Sequence, residues 1–264
     1  MPEIQKMDKV SGLIPTILFG PVTSRRLGRS LGINLLPPDQ KICQFNCPYC
    51  ECGFTDVVLS RQAIKNELKS FPGKAEVIKQ ITETLMTYEG KIDHLTFAGN
   101  GEPTIHPEFS EIIDELLPLK KIYPHLKIAV LTNATTLGQE KIKLALEKCD
   151  SVAYKLDAGD EKTYKLVDAP VQGDINLERI IENISKVKKP VIQSMFIQGR
   201  VDNTTPKSIG AWMKALKVIK PVEVQIYSLD RNPADGRLIK VAKEKLLDIK
   251  TEAEKTIKAT FTVY

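Results

Sequence analysis

HLTFAGNGEPTIHPEFSEIIDELLPLK, residues 94–120, reads as a strand, a glycine-rich turn and a helix in immediate succession. HLTFAG (94–99) is a short apolar run of strand length. In the helix that follows, Phe109, Ile112, Ile113, Leu116 and Leu117 recur at the spacing that puts them on one face. Between the two, Gly99 and Gly101 allow the backbone to approach a ligand without Cβ interference. Glu102 then offers a carboxylate at the carboxyl end of the strand, suited to an ammonium group. A plain glycine turn ahead of a helix whose first turn holds Pro107 is the alternative reading.

The same unit recurs on both sides of this stretch. Strand-like runs fall at SLGINLL (30–36), KIAVLTN (127–133), SVAYKLD (151–157), PVIQSMFIQG (190–199) and VEVQIYSLD (222–230). Helical periodicity falls between and after them, at 74–90 with Ile78, Ile81 and Leu85 on one face, and at 139–149, 175–188, 207–220 and 241–258. Strand and helix in alternation argue for parallel strands joined by right-handed crossovers. Such a sheet is an open doubly wound one or a partial barrel, and the expectation here is a partial (β/α)6 barrel of parallel strands with outer helices. In both forms ligands meet the carboxyl ends of the strands, so chemistry is to be sought there.

Just after the first strand of the alternation, KICQFNCPYCECG (41–53) places four of the five cysteines within thirteen residues. Cys43, Cys47 and Cys50 form C-x3-C-x2-C. Three thiolates can hold three irons of a [4Fe-4S] cluster, whereas a closed electron-transfer cluster takes four cysteines. The fourth iron would then be an open coordination site, as an open position marks catalytic zinc. A zinc knuckle using Cys52 as fourth ligand is the alternative, although two residues from Cys50 is tight for tetrahedral chelation. Cys149, at the end of a helix, reads as core.

Composition bounds the rest. A chain of 264 residues, 42% hydrophobic and 27% charged, suits a soluble globular protein. The net charge of +5 permits a nucleic-acid partner without requiring one. The apolar run LIPTILF is short and broken by Pro15, and no stretch reaches the length of a membrane span. The expectation is a cytoplasmic protein with no membrane partner, in which clustered thiols stay reduced and bind metal.

CQFNCPYC resembles the signature of the radical S-adenosylmethionine (radical SAM) enzymes, with Tyr49 just before the third cysteine, and GNGEP is similar to that superfamily's glycine-rich motif. The likeness runs from GPVTSRRLGRSLGINLL through LTNATT and YKLDAGDEKTYKLVDAP to VQIYSLDR. These longer stretches resemble the branch that includes the tRNA wyosine-base synthase and its uncharacterised bacterial relatives.

The resemblance implies an iron–sulfur oxidoreductase or transferase. Its cofactors would be a [4Fe-4S] cluster and S-adenosylmethionine (SAM), cleaved reductively to a 5′-deoxyadenosyl radical that takes hydrogen from a substrate, a tRNA base being the specific expectation. Cys43, Cys47 and Cys50 would be the iron ligands and Tyr49 would lie against the adenine. Gly99, Asn100, Gly101 and Glu102 would face the methionine ammonium. Asn133, Lys155 and Asp157 would contact the ribose or carboxylate, with Gln193 a further candidate, and Tyr227, near the end of the sixth strand, suits stacking on the adenine or plain packing. Asn133 also suits a turn cap, and Lys155 and Asp157 suit a mutual ion pair.

Arg25, Arg26 and Arg29 are candidates for an anionic substrate, or else form a solvated basic turn. Partners would be RNA and a reductant such as flavodoxin or ferredoxin. The spare cysteines, Cys52 and Cys149, support no more than one cluster. The expected layout is a single radical SAM catalytic domain over 1–264, with an extension (1–29), a core (30–230) and a terminal helix and tail (231–264). An iron–sulfur or zinc-binding protein that never cleaves SAM, and an activase that installs a glycyl radical in a partner, stand as alternatives.

Overall fold

The structure, a computed structural model, describes residues 12–55, 70–171 and 175–264. Residues 1–11 of the expected amino-terminal extension lie outside the described residues. The chain divides into two compact units that interleave in sequence. One comprises Met1–Cys43, Thr55–Thr132 and Gly138–Val152; the other comprises Gln44–Phe54, Asn133–Leu137 and Ala153–Tyr264.

The first unit holds β1 (Leu18–Ser24), β2 (Gly28–Ile33), α1 (Lys74–Thr87), β3 (His94–Phe97), α2 (Phe109–Leu116), the single turn α3 (Leu119–Ile122), β4 (Lys127–Thr132) and α4 (Glu140–Glu147). Its strand order is β1-β2-β3-β4. β2, β3 and β4 run parallel, with Leu31 opposite Leu95 and Leu95 opposite Ile128. Parallel strands between layers are buried on both faces. Leu31, Ile33, Leu95, Phe97 and Val130 line one face and are inaccessible to solvent, and Ser30, Thr96 and Ala129 are buried on the other.

α2 packs on this sheet through the face read from the sequence, for Phe109, Ile112, Ile113 and Leu116 are all buried and the Phe109 ring meets Phe97 edge to face at 5.8 Å. In α1 the buried positions are Val77, Ile81 and Thr84, so the covered face is centred one residue before the expected Ile78–Ile81–Leu85 line.

The second unit holds β5 (Ser151–Lys155), of which it contributes residues 153–155, then α5 (Glu161–Val167), α6 (Leu177–Ser185), β6 (Val191–Met195), β7 (Ile197–Gly199), α7 (Pro206–Ile219), β8 (Glu223–Tyr227), β9 (Leu238–Lys240), α8 (Lys243–Glu254) and β10 (Thr260–Val263). Its strand order is β5-β6-β8-β10, all parallel, and β7 pairs with β9 antiparallel.

Three of its helices, α5, α6 and α7, start on a sequence signal. Asp160, Asn176 and Thr205 accept a hydrogen bond from the backbone N–H three residues on, and Pro206 occupies the first position of α7. Trp212 of α7 fills the space over β6: its ring meets Phe196 edge to face at 5.2 Å and its Nε1–H donates to Ser194 Oγ at 3.0 Å.

The architecture is α/β with mostly parallel strands and flanking helices, as expected. Three details differ from the sequence reading. Residues 18–24, assigned to an extension, form a strand antiparallel to β2. The run 190–199 is two strands rather than one, because the chain turns at Phe196 to send β7 toward β9. The tail is a strand: Thr260–Val263 lies beside Glu223–Ile226.

Candidate active site

In the first unit the GNGEP turn follows β3. Gly99 and Gly101 have φ of 143° and 133°, values that L side chains rarely adopt. Asn100 is fully buried and acts as a connector. Its side-chain oxygen accepts the Ile14 N–H at 2.7 Å, and its amide donates to the carbonyls of Ile14 at 2.9 Å and Pro37 at 2.8 Å. Its own N–H goes to Asn34 Oδ1 at 3.1 Å.

The turn is zipped to the residue before the first cysteine. Ile42 N–H donates to Asn100 O at 2.9 Å, and Glu102 N–H donates to Ile42 O at 3.1 Å. A Cβ on Gly101 would stand 1.9 Å from Ile42 O, so only glycine allows this approach. Cys43, half-buried, therefore leaves directly from the glycine turn.

The Glu102 carboxylate is 2% exposed. Its Oε1 accepts from Thr104 N at 3.1 Å, Thr104 Oγ1 at 2.6 Å and Thr132 Oγ1 at 2.7 Å. Three donors on one oxygen fix the group at the carboxyl ends of β3 and β4.

A few residues on, His106 is held as a neutral ring. Its Nδ1 accepts the Glu108 N–H at 3.1 Å, so Nε2 carries the hydrogen and donates to Pro72 O at 3.0 Å. Burial depresses its pKa below the usual histidine value, against the opposing pull of the Pro72 carbonyl. The unfolded chain, with an ordinary histidine near pH ~6.5, takes up the proton first as the pH falls. The stability this residue contributes is thus complete above that pH and is lost on acidification through the folded pKa. Melting curves at pH 7.5 and 5.5 are expected to show a drop on acidification that is smaller in His106→Gln; an equal drop in both chains would contradict this.

In the second unit the cysteine loop, residues 44–54, forms a turn in which Cys50 N–H donates to Cys47 O at 3.0 Å and Gly53 N–H donates to Cys50 O at 3.2 Å. Cys47 is buried, Cys50 and Cys52 are half-buried, and none of the five cysteines is in a disulfide. Among the described residues no three of His, Cys, Asp and Glu are gathered closely enough to hold a single metal ion.

The side chains of Tyr49, Lys155 and Asp157 meet around a fourth residue that sequence reasoning did not single out, Asp168. The Lys155 ammonium binds both the Asp157 and the Asp168 carboxylates, and the Tyr49 hydroxyl donates to Asp157 Oδ2. The ammonium also stands 5.2 Å from the centroid of the Tyr49 ring and 5.8 Å from that of Phe45. Asp157 accepts the Met195 N–H at 2.8 Å on its other oxygen.

Burial works against the Lys155 charge, but the two carboxylates outweigh it and hold the pKa well above that of an ordinary lysine. Burial pushes the Asp168 carboxyl up to about 7, against the pull of the ammonium. Burial, and then the Asp157 carboxylate, raise the Tyr49 pKa well above 10, so its hydroxyl stays a donor.

Other candidates sit elsewhere in their units. Asn133 Oδ1 accepts from Thr135 N at 3.0 Å and Oγ1 at 2.7 Å, a turn cap, while its amide donates to Gln44 Oε1 of the cysteine loop at 3.1 Å. Gln193 joins Gln225 at 3.2 Å and Tyr227 at 3.4 Å. Arg25 and Arg26 occupy the turn between β1 and β2, and Arg29 contacts Asp93 through its N–H and Tyr88 through its guanidinium. Burial pushes the Cys149 thiol up to about 12, as suits a core residue. No helix among the described residues is long and apolar enough to cross a membrane.

Asn34 and Thr132, which hold the glycine turn, close strands and were open to the search of strand ends. Asp168 lies in the stretch YKLDAGDEKTYKLVDAP, but nothing in it singled out this residue.

Comparison with known proteins adds three findings. The Radical SAM superfamily profile matches residues 38–204. A "UPF0026 protein" of Helicobacter pylori is 33% identical over 240 residues, spanning 88% of this chain and 72% of that protein. Among solved structures, a radical SAM methyltransferase from Sphaerobacter thermophilus superposes with a TM-score of 0.66 at 14% identity, over 93% of this chain and 68% of that one. Archaeal TYW1 superposes with a TM-score of 0.50 at 15% identity, over 87% and 72%. At these identities the two structures speak for the fold alone, and they share the α/β class read from the sequence.

Proposed function

Because the chain belongs to the radical SAM superfamily, we propose that Cys43, Cys47 and Cys50 hold its iron–sulfur cluster, that Gly99, Asn100, Gly101 and Glu102 receive the amino group of SAM, and that an RNA base supplies the hydrogen it removes. The superfamily uses a [4Fe-4S] cluster, SAM and an external reductant, and this enzyme has the same requirements. Held by the three cysteines, the cluster would supply one electron for reductive cleavage of a carbon–sulfur bond of SAM, with methionine as the leaving group, and so the hydrogen-abstracting power the superfamily uses. The protein's share is position and shielding.

The observation that carries the reading is the backbone pairing of Ile42 with the glycine turn. It ties the start of the cysteine motif to the GNGEP motif, through a contact that a side chain at Gly101 would block. The donor set fits the group: thiols at C-x3-C-x2-C spacing for iron, and a buried, fixed carboxylate at Glu102 for an ammonium. Asn133 and Gln193 are the further proposed SAM contacts. Tyr49 presents its ring from the same loop as Cys47 and Cys50. A net charge of +5 and the arginines of the β1–β2 turn support an anionic substrate such as RNA. A small iron–sulfur or flavin protein is the proposed reductant.

The test is anaerobic reconstitution with iron and sulfide, then dithionite and SAM. Formation of 5′-deoxyadenosine is expected, and its absence would count against the reading. Deuterium appearing in that product from labelled bulk RNA, and not from labelled protein, would support the substrate class; the reverse would overturn it.

A further inference from the structure

Asp168 follows α5 directly, and its two halves touch different parts of the second unit. Its backbone carbonyl accepts the Asn46 N–H at 3.1 Å and faces Cys47 Sγ at 3.6 Å. The next carbonyl, of Ala169, takes the same N–H at 2.9 Å. Phe45 pairs antiparallel with Pro170, and Val171 N–H donates to Gln44 O at 3.0 Å. Residues 168–171 therefore run against 44–47 as a short ladder, and the backbone leading into Cys47 is held by it. Ala169 adopts φ of 46°, a left-handed conformation that a non-glycine residue keeps only where its surroundings impose it.

The side-chain half of Asp168 is anchored elsewhere. Its carboxylate, in a residue 3% exposed, is bound by the Lys155 ammonium at the end of β5. The same ammonium holds Asp157, which is fixed in turn by the Met195 N–H and the Tyr49 hydroxyl. One cation thus ties the ladder that supports Cys47 to the carboxyl ends of β5 and β6. It also lies against the two aromatic rings, Phe45 and Tyr49, that flank Cys47 in sequence. Cutting this link leaves the ladder only its backbone bonds and strands a buried charge.

We propose that the Lys155–Asp168 ion pair is a positioning clamp for the cysteine loop, governing how firmly Cys47 and Cys50 retain the iron–sulfur cluster. The proposal rests on the reading that this loop carries the cluster. Neither residue need touch iron; both act through the backbone of the ligands, as the outer partners of metal ligands do.

The experiment compares the reconstituted wild-type chain with Asp168→Asn, Lys155→Met and Lys155→Arg, with Leu246→Ala, a buried residue of α8, as a destabilised control. Iron and sulfide per chain are counted, and the rate of iron release to a ferrous chelator is followed under nitrogen. Melting of each metal-free chain reports its folding. Asp168→Asn keeps the shape and the backbone carbonyl, so it is the variant expected to fold if Lys155→Met does not. Release is expected to quicken about 10- to 100-fold in Asp168→Asn and in any folded Lys155→Met, the usual cost of losing an outer partner of a ligand. Lys155→Arg should restore wild-type retention.

Wild-type release from Asp168→Asn would overturn the clamp. So would equally fast release from the Leu246→Ala control, which would make the effect one of general stability. A wild-type chain that takes up no four-iron cluster would instead refute the parent assignment of the loop.

Discussion

Replacing Cys50 by alanine is expected to leave a folded chain that binds almost no four-iron cluster and forms 5′-deoxyadenosine at least about a thousandfold more slowly, a loss of ~4 kcal/mol or more of barrier lowering. The reason lies in the ligand count. With three thiolates for four irons, every cysteine of the triad carries one iron, and none is redundant. The turn that joins Cys47 to Cys50 is closed by backbone atoms, the Cys50 N–H and the Cys47 carbonyl, so the substitution removes the sulfur without opening the turn. Cys52 lies outside the triad, and Cys52→Ala should keep both iron content and product formation. A Cys50→Ala chain that still loads four irons, or a Cys52→Ala chain that loses them, would show that the triad is misassigned. Iron analysis with the visible absorption spectrum decides between these results.

The second large effect is on stability. Gly101→Ala puts a methyl group 1.9 Å from the Ile42 carbonyl oxygen and 2.6 Å from its carbon, at a φ of +133°. Both obstacles are backbone, and the oxygen is the acceptor of the Glu102 N–H, so neither can move without breaking the pairing. Strain of this kind, added to a lost buried hydrogen bond, costs about 3–5 kcal/mol. In a domain of this size that lowers the melting temperature by roughly 10 °C. Gly73→Ala is the matched control, for a Cβ there meets nothing within 4 Å and its change should stay within about 0.5 kcal/mol. Equal melting temperatures for Gly101→Ala and the wild type would mean that the close approach is not required. SAM binding by any folded Gly101→Ala should also weaken, since the same turn sets Glu102.

The strands that sequence revealed are those whose side chains are buried on both faces. Leu31 and Ile33, Leu95 and Phe97, and Ile128 and Val130 alternate along one face of the sheet, while the small Ser30, Thr96 and Ala129 are buried on the other. β1 lacked that signal. Its burial alternates poorly, its register shifts between Phe19 and Val22, and Pro21 interrupts it, as suits a strand at the end of an order. β10 is four residues long and only Phe261 of it is buried, so ATFTVY carried too little pattern to separate it from a tail. The break between β6 and β7 was invisible because Phe196 and Ile197 continue the apolar run while the backbone turns away. The cause is polar and distant in sequence: Asn203 Oδ1 accepts the Ile197 N–H at 2.9 Å and its amide donates to Met195 O at 2.8 Å.

Legibility of the candidate site followed the same division. Cysteine spacing and paired glycines are local signals, and the family they suggested is the one the comparison shows. The partners of those stretches were not local. Asp168 is 121 residues from Cys47, at the end of a helix, and only the folded chain brings its carbonyl to the thiol. Lys155 and Asp157 were named through the family resemblance, and their ion pair with each other was the alternative reading, yet their engagement with Asp168 depends on burial that composition does not reveal.

Electron paramagnetic resonance of the dithionite-reduced, reconstituted chain, recorded with and without SAM, tests the open iron site most directly. The expected result is one signal of a reduced [4Fe-4S] cluster per chain whose g values shift when SAM is added, in the wild type and in Cys52→Ala alike. A spectrum indifferent to SAM, or one that changes on removing the Cys52 thiol, would mean that the fourth iron is already occupied by the protein and would contradict the account.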